Sequence, residues 1–154
     1  IAEMMEAALV SGVESYVVVG NFSTTALGQQ LQQRYREEPR IQCIDALFEP
    51  QALAALRAGC RLYLHGHSVG GTNPSLIEML PYHRPILAFD CIFNRHTLAD
   101  QGGYFASAAA LVQCLRTPDL QAWTPQPDDP AFARYRWTAI ARAYSRLCQP
   151  EVMA

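Results

Sequence analysis

The sequence predicts an α/β protein, a parallel sheet with helices on both faces. Three observations carry that expectation. Stretches with helical spacing of apolar residues alternate with short, continuous apolar runs; those runs are rich in β-branched and aromatic residues; and only a few residues connect each stretch to the next. Strands that alternate with helices pair in parallel, and strands covered from both sides read as unbroken hydrophobic runs.

Taken in order, Ile1, Met4, Met5, Ala8 and Leu9 recur at the spacing of one helix face, which Gly12 ends. YVVVG, Tyr16 to Gly20, is a β-branched run expected to be a strand covered on both faces. Ser23, Thr24 and Thr25 offer N-caps for a second helix, with Leu27, Leu31 and Tyr35 inward and glutamines outward. RIQCI, Arg40 to Ile44, is the next strand; Pro50 then opens a short helix carrying Leu53 and Leu56, which Gly59 stops. CRLYLHG, Cys60 to Gly66, reads as a third strand. A glycine-rich loop follows it, then a helix from about Pro74 and a fourth strand in PILAFD, Pro85 to Asp90. A short strand fits Gly103 to Phe105, and Ser107 caps a helix through Leu115. After the Pro-rich loop TPQPDDP, Thr124 to Pro130, a last helix carries Trp137, Ile140, Ala141, Tyr144, Leu147 and Cys148 on one face, read as core. The whole pattern is Rossmann-like, three layers with the sheet in the middle. In such sheets ligands bind outside the carboxyl ends of the strands, so the loops after Gly20, Ile44, Gly66 and Asp90 share one crevice.

Composition narrows the function. The 154 residues suffice for one domain with a real core, and half of them are hydrophobic against 17% charged, an ordinary globular balance. A formal charge of -2 leaves no electrostatic footprint for nucleic acid or an anionic membrane. Five dispersed cysteines, Cys43, Cys60, Cys91, Cys114 and Cys148, include no C-x-x-C pair and read as reduced thiols in a cytosol. No signal peptide and no apolar run of spanning length occurs. Ile1 already lies inside a helical pattern with no initiator Met, so residues 1–154 read as a single domain cut from a longer chain.

The sharpest motif is also a trap. Gly66, Ser68 and Gly70 spell G-x-S-x-G, the nucleophile elbow of a serine hydrolase. An elbow starts its helix at once, which would put Pro74 in the second turn, where it breaks a hydrogen bond. Asn73 as N-cap and Pro74 as first helical residue fit better, and they leave Ser68 in a loop. A triad in this fold also needs a histidine well after its carboxylate, and His96 follows Asp90 too closely. The glycines then have two readings. Gly70 and Gly71 let the backbone approach a phosphate or sugar ahead of a helix N-terminus, or they only make the turn. Glu78 has two as well, a solvated helical carboxylate or a grip on ribose hydroxyls. His65 and His67 form an H-x-H pair with no third metal ligand at suitable spacing; His65 reads as structural and His67 as a donor to a ligand oxygen. Arg95 is a phosphate or acceptor contact, or an ordinary surface arginine.

HGHSVGGTNPSLIEML followed by PILAFDCIFNRHTLAD resembles the donor-binding half of GT-B glycosyltransferases. Within them the similarity is to the rhamnosyltransferase-like branch of the family-four retaining enzymes. The resemblance is specific from His65 to Asp100 and looser over nearly the whole chain. It implies that Glu78 grips the ribose and that Gly71, Thr72 and Asn73 meet the diphosphate or sugar, while Ile44 and Asp45 border the base. The family places a first carboxylate where this chain has Gly70, so His67 or Thr72 would take over its sugar contact. The resemblance further implies half of an enzyme, with an acceptor domain preceding Ile1. It also implies a TDP- or UDP-sugar donor, no metal or other cofactor, and a saccharide or lipid-linked acceptor in surface polysaccharide synthesis. The place would be the cytoplasm or the inner face of a membrane, and the 154-residue piece alone would transfer nothing. A serine hydrolase using Ser68 and a non-catalytic nucleotide-binding module are the competing classes.

Overall fold

The computed structural model describes residues 1–126 and 128–148. Pro127 of the Pro-rich loop therefore lies outside the described residues. The chain runs α1 (Ala2–Ser11), β1 (Tyr16–Gly20), α2 (Ala26–Arg34), β2 (Ile41–Asp45), α3 (Pro50–Gly59), β3 (Tyr63–His65), α4 (Pro74–Ile77), β4 (Ile86–Phe89), α5 (Ile92–Leu98), β5 (Gly103–Phe105), α6 (Ala108–Arg116) and α7 (Trp137–Leu147). Short 3-10 turns lie at Leu80–Tyr82 and Pro130–Tyr135.

Caps account for many of the boundaries. The Thr25 hydroxyl accepts from the Gly28 amide, Asn73 from Ser75, and Ser107 from Ala110, each satisfying an amide that the helix start leaves unpaired. Glu49 caps α3 from just before Pro50, accepting from the Gln51 and Ala52 amides. Gly28 faces inward for a different reason: a Cβ there would stand 2.5 Å from the Asn21 carbonyl oxygen and 2.6 Å from the Phe22 Cα.

All pairing is parallel, in two small sheets. β1 pairs with β2 from Tyr16 opposite Ile41 to Gly20 opposite Asp45. The second sheet is ordered β3-β4-β5, with Tyr63 opposite Ile86 and Leu87 opposite Gly103. On one side of the second sheet, Ile86 and Ala88 pack with Leu76, Met79 and Leu98 from the α4–α5 region. On its other side Leu87 and Phe105 meet Ala7 of α1 and Leu111 of α6. The first sheet has its own core, in which Met5 of α1 joins Val18, Phe22, Leu31, Tyr35 and Ile41. Among the described residues α1 is the element with buried side chains in both groups. Burial first, and the Tyr63 phenol second, push the Tyr16 hydroxyl above its ordinary range.

Several expectations change. β1 is covered on one face rather than two: Val18 is buried but Val17 and Val19 are over a third exposed, because the helices around it pack on the Val18 side. Leu27 points outward at 55% exposure, so α2 seats itself on Gly28, Leu31 and Tyr35 instead. The third strand shrinks to Tyr63–His65, and the helix from Pro74 ends after one turn at Glu78. Residues 92–98 form a helix where the sequence suggested a loop, with Leu98 and Thr97 buried. The last helix is not core. Trp137 is 83% exposed, Tyr144 68% and Leu147 72%, and no residue of α7 is fully buried among those described.

Candidate functional site

Within each sheet the strands deliver their carboxyl ends to one edge, as parallel pairing requires, and the glycine-rich loop Gly66–Asn73 leaves β3 at that edge of the second sheet. Three glycines in it serve three purposes. Gly66 makes room for α1, because a Cβ on it would run into the Met4 thioether. Gly70 takes a left-handed φ of 105°, which side chains rarely adopt. Gly71 has open space where a side chain would be, so its backbone lies bare. Thr72 beside it is exposed, and Asn73 is half-buried through its capping bond.

Two side chains fix the root of this loop. His65 ends β3 at 1% exposure, its Nδ1 3.5 Å from the Tyr63 hydroxyl and its Nε2 without a partner. Burial first, and the neighbouring His67 second, push its pKa down to about 4, so it is neutral at ordinary pH. His67 is exposed and stacks on the His65 ring at 4.8 Å between centroids. The second anchor is Asn94 of α5, only 3% exposed, whose Nδ2 donates to the His67 carbonyl at 2.9 Å and to the Phe89 carbonyl at 2.8 Å. Asn94 thereby ties the loop after β3 to the end of β4. Sequence reading passed over it because residues 92–98 were not recognised as helical. A polar residue at a position facing the sheet would have been the signal.

Ser68 is exposed within the loop, six residues before Pro74 begins α4. Among the described residues only His83, Ala99 and Asp100 have positive φ outside glycine, so Ser68 lacks the strain of a nucleophile elbow. No hydrogen bond joins its hydroxyl to a histidine among the described residues. Beside it, a cavity of about 380 Å³ opens at the carboxyl edge of the second sheet. Gly66, Ser68, Phe105 and Ser107 line it together with Ile1 and Glu3, so the first turns of α1 and α6 both border it. Helix starts carry unpaired amides and positive potential, whereas Glu3 sets one carboxylate on the wall.

The remaining candidates are drawn elsewhere. Glu78, at the end of α4, forms an ion pair with Arg57 of α3; Arg57 was another residue the sequence did not point to. The Asp45 carboxylate accepts the Ser23 amide at 2.8 Å, which holds it below the usual carboxylate range and ties the loops after β1 and β2 together. Ile44 before it is half-buried. Arg95 is not held out toward the crevice. Its Nε and Nη2 donate to Asp90, its Nη1 donates to Asp100, and its guanidinium lies 4.3 Å from the Tyr104 ring centre. These partners raise the Arg95 pKa and hold Asp90 below the carboxylate range. Neither Ile44, Asp45, Glu78 and Arg95 nor His67, Gly70, Gly71, Thr72 and Asn73 line the cavity beside Ser68. Among the described residues no three His, Cys, Asp or Glu side chains gather as a metal site would require.

Compared with known proteins, the sequence matches no family model and no curated protein. Among the described residues no helix is long and apolar enough to cross a membrane.

Proposed function

We propose that the chain is the donor-binding half of a glycosyltransferase, taking a nucleoside-diphosphate sugar and serving its transfer to a saccharide acceptor. The observation that carries this reading is the cavity at the carboxyl edge of the second sheet, which the glycine-rich loop borders through Gly66 and Ser68. In open α/β sheets, ligands bind at that edge, where the strand order reverses. The finer fold is then a Rossmann-like three-layer unit, one half of a GT-B enzyme.

In this reading Gly71, Thr72 and Asn73 present amides and a hydroxyl to the diphosphate or sugar, with His67 and Gly70 alongside. Glu78 accepts ribose hydroxyls, and its exposed pair with Arg57 leaves carboxylate lone pairs for them. The apolar stripe left open on α7 suits a second domain, the acceptor half. Catalysis would rest on electrostatic stabilisation of the departing nucleoside diphosphate by groups from both halves, so residues 1–154 alone would bind and not transfer. Rhamnose carried by TDP or UDP is the first donor to try. The acceptor would be a growing or lipid-linked polysaccharide at the cytoplasmic side of a membrane.

The test is an NMR titration with TDP, UDP, GDP and ADP. The expected result is saturable binding of one diphosphate, with shifts clustered at Gly70–Asn73 and abolished by Glu78→Ala. No binding, or shifts that Glu78→Ala leaves unchanged, would overturn the assignment. Covalent labelling by a fluorophosphonate that Ser68→Ala removes would install the hydrolase in its place.

A further inference from the structure

We infer that Arg57, by holding one oxygen of Glu78, makes the nucleotide site indifferent to the 2′-hydroxyl, so that ribonucleoside and 2′-deoxyribonucleoside diphosphates bind alike. The inference rests on the reading of Glu78 as the ribose contact.

Two elements fix where the Glu78 carboxylate stands. Asn73 caps α4, Pro74 starts it, and the Glu78 amide closes its single turn on the Pro74 carbonyl at 2.9 Å. That sets the backbone, but a glutamate after one turn of helix keeps its side-chain torsions free. Arg57, in the last turn of α3, removes that freedom, since its Nη2 donates to Glu78 Oε2. The partners are unequal. The Arg57 side chain is mostly enclosed, whereas that of Glu78 is half exposed. Among the described residues no hydrogen bond reaches Oε1, which therefore stays open to a ligand.

A ribose presents two adjacent hydroxyls, and a carboxylate receives both best with one oxygen for each. Here one oxygen is already taken. To reach Oε2 a hydroxyl must displace a charge-assisted bond, and the neutral bond it offers in return is about half as strong. The exchange is unfavourable, so Oε1 alone meets the ligand. Its lone pairs sit on one atom, and two adjacent hydroxyls cannot align with it as they would with two oxygens. One hydroxyl is enough, and the 3′-hydroxyl is common to ribose and 2′-deoxyribose. A site rejects an analogue lacking a hydroxyl when its own polar group is then left unpaired. With Oε2 on Arg57 and Oε1 on the 3′-hydroxyl, Glu78 loses no partner when the 2′-hydroxyl is absent. Arg57 thus acts as a positioning residue, setting selectivity without touching the nucleotide.

The experiment pairs each ribonucleoside diphosphate with its 2′-deoxy form: UDP with dUDP, 5-methyl-UDP with TDP, GDP with dGDP and ADP with dADP. NMR titration gives the Kd ratio in wild type, Arg57→Ala and Arg57→Lys. In wild type the two members of the pair that binds should agree within about threefold. Arg57→Ala frees the second oxygen and should favour the ribose form by about tenfold or more. Arg57→Lys keeps a cation on Oε2 and should return the ratio to that of wild type. A wild-type preference of about tenfold or more for the ribose form would overturn the inference and leave the Glu78 contact standing. So would a ratio that Arg57→Ala leaves unchanged. Binding that Glu78→Ala does not weaken, or no binding by any pair, would overturn the contact itself and the inference with it.

Discussion

Lowering the pH from 7 to 5 should weaken the fold through one side chain, His65. Its ring is 1% exposed, and its pKa is pushed from 6.5 down to about 4 by burial and by His67. In the unfolded chain the imidazole takes a proton as pH falls through its ordinary value, while in the folded chain it stays neutral. The stability that neutral burial gives is therefore complete above pH 6.5 and drains away between 6.5 and about 4. At pH 5 the difference in proton binding amounts to about 2 kcal/mol, a large part of a small domain's stability. The carboxylates of Asp45, Asp90 and Glu38 are held below their usual range, so their contributions fade only at lower pH and leave this window to histidine. Urea unfolding at pH 7, 6 and 5, for wild type and for His65→Gln, isolates the effect. The variant should be weaker at pH 7 yet lose about 2 kcal/mol less than wild type between pH 7 and 5. Parallel losses in the two proteins would refute the reasoning and place the titrating group elsewhere.

Other perturbations separate the roles of the site. Asn94→Ala removes two buried hydrogen bonds and should cost about 1–3 kcal/mol in urea melts, with new exchange broadening in NMR spectra confined to Gly66–Asn73. Arg57→Ala breaks a pair whose carboxylate is half exposed; it should change stability by less than about 1 kcal/mol in the same melts. Gly28→Ala drives a methyl group into the Asn21 and Phe22 backbone and should lower stability by about 1–3 kcal/mol, read as a fall in the urea midpoint.

The sequence made most elements legible because periodicity and caps are local. Thr25, Asn73 and Ser107 each mark a helix start through a bond made within three residues, and Pro50 marks one through its fixed φ at the first helical position. The misreadings arise where neighbours in space decide. Leu27 and Leu31 look alike in sequence, and only the packing on Gly28 sends one outward. Trp137, Tyr144 and Leu147 form as good an apolar stripe as any core helix, yet no described element covers them. At the site, the loop glycines and Asn73 could be read directly, while Asn94 and Arg57 reach it from 27 and 21 residues away and carry no motif.

The position of α1 bears on how the molecule holds together as it unfolds. Because this ten-residue helix is the described element whose buried side chains enter both groups of cores, the two halves share their cooperativity through it. Undocking α1 would release two subunits of unfolding, each with a small sheet of its own, and a single sharp transition would split into two. Cleavage or fraying at the first turn is thus felt across the whole domain, well beyond the few side chains it displaces.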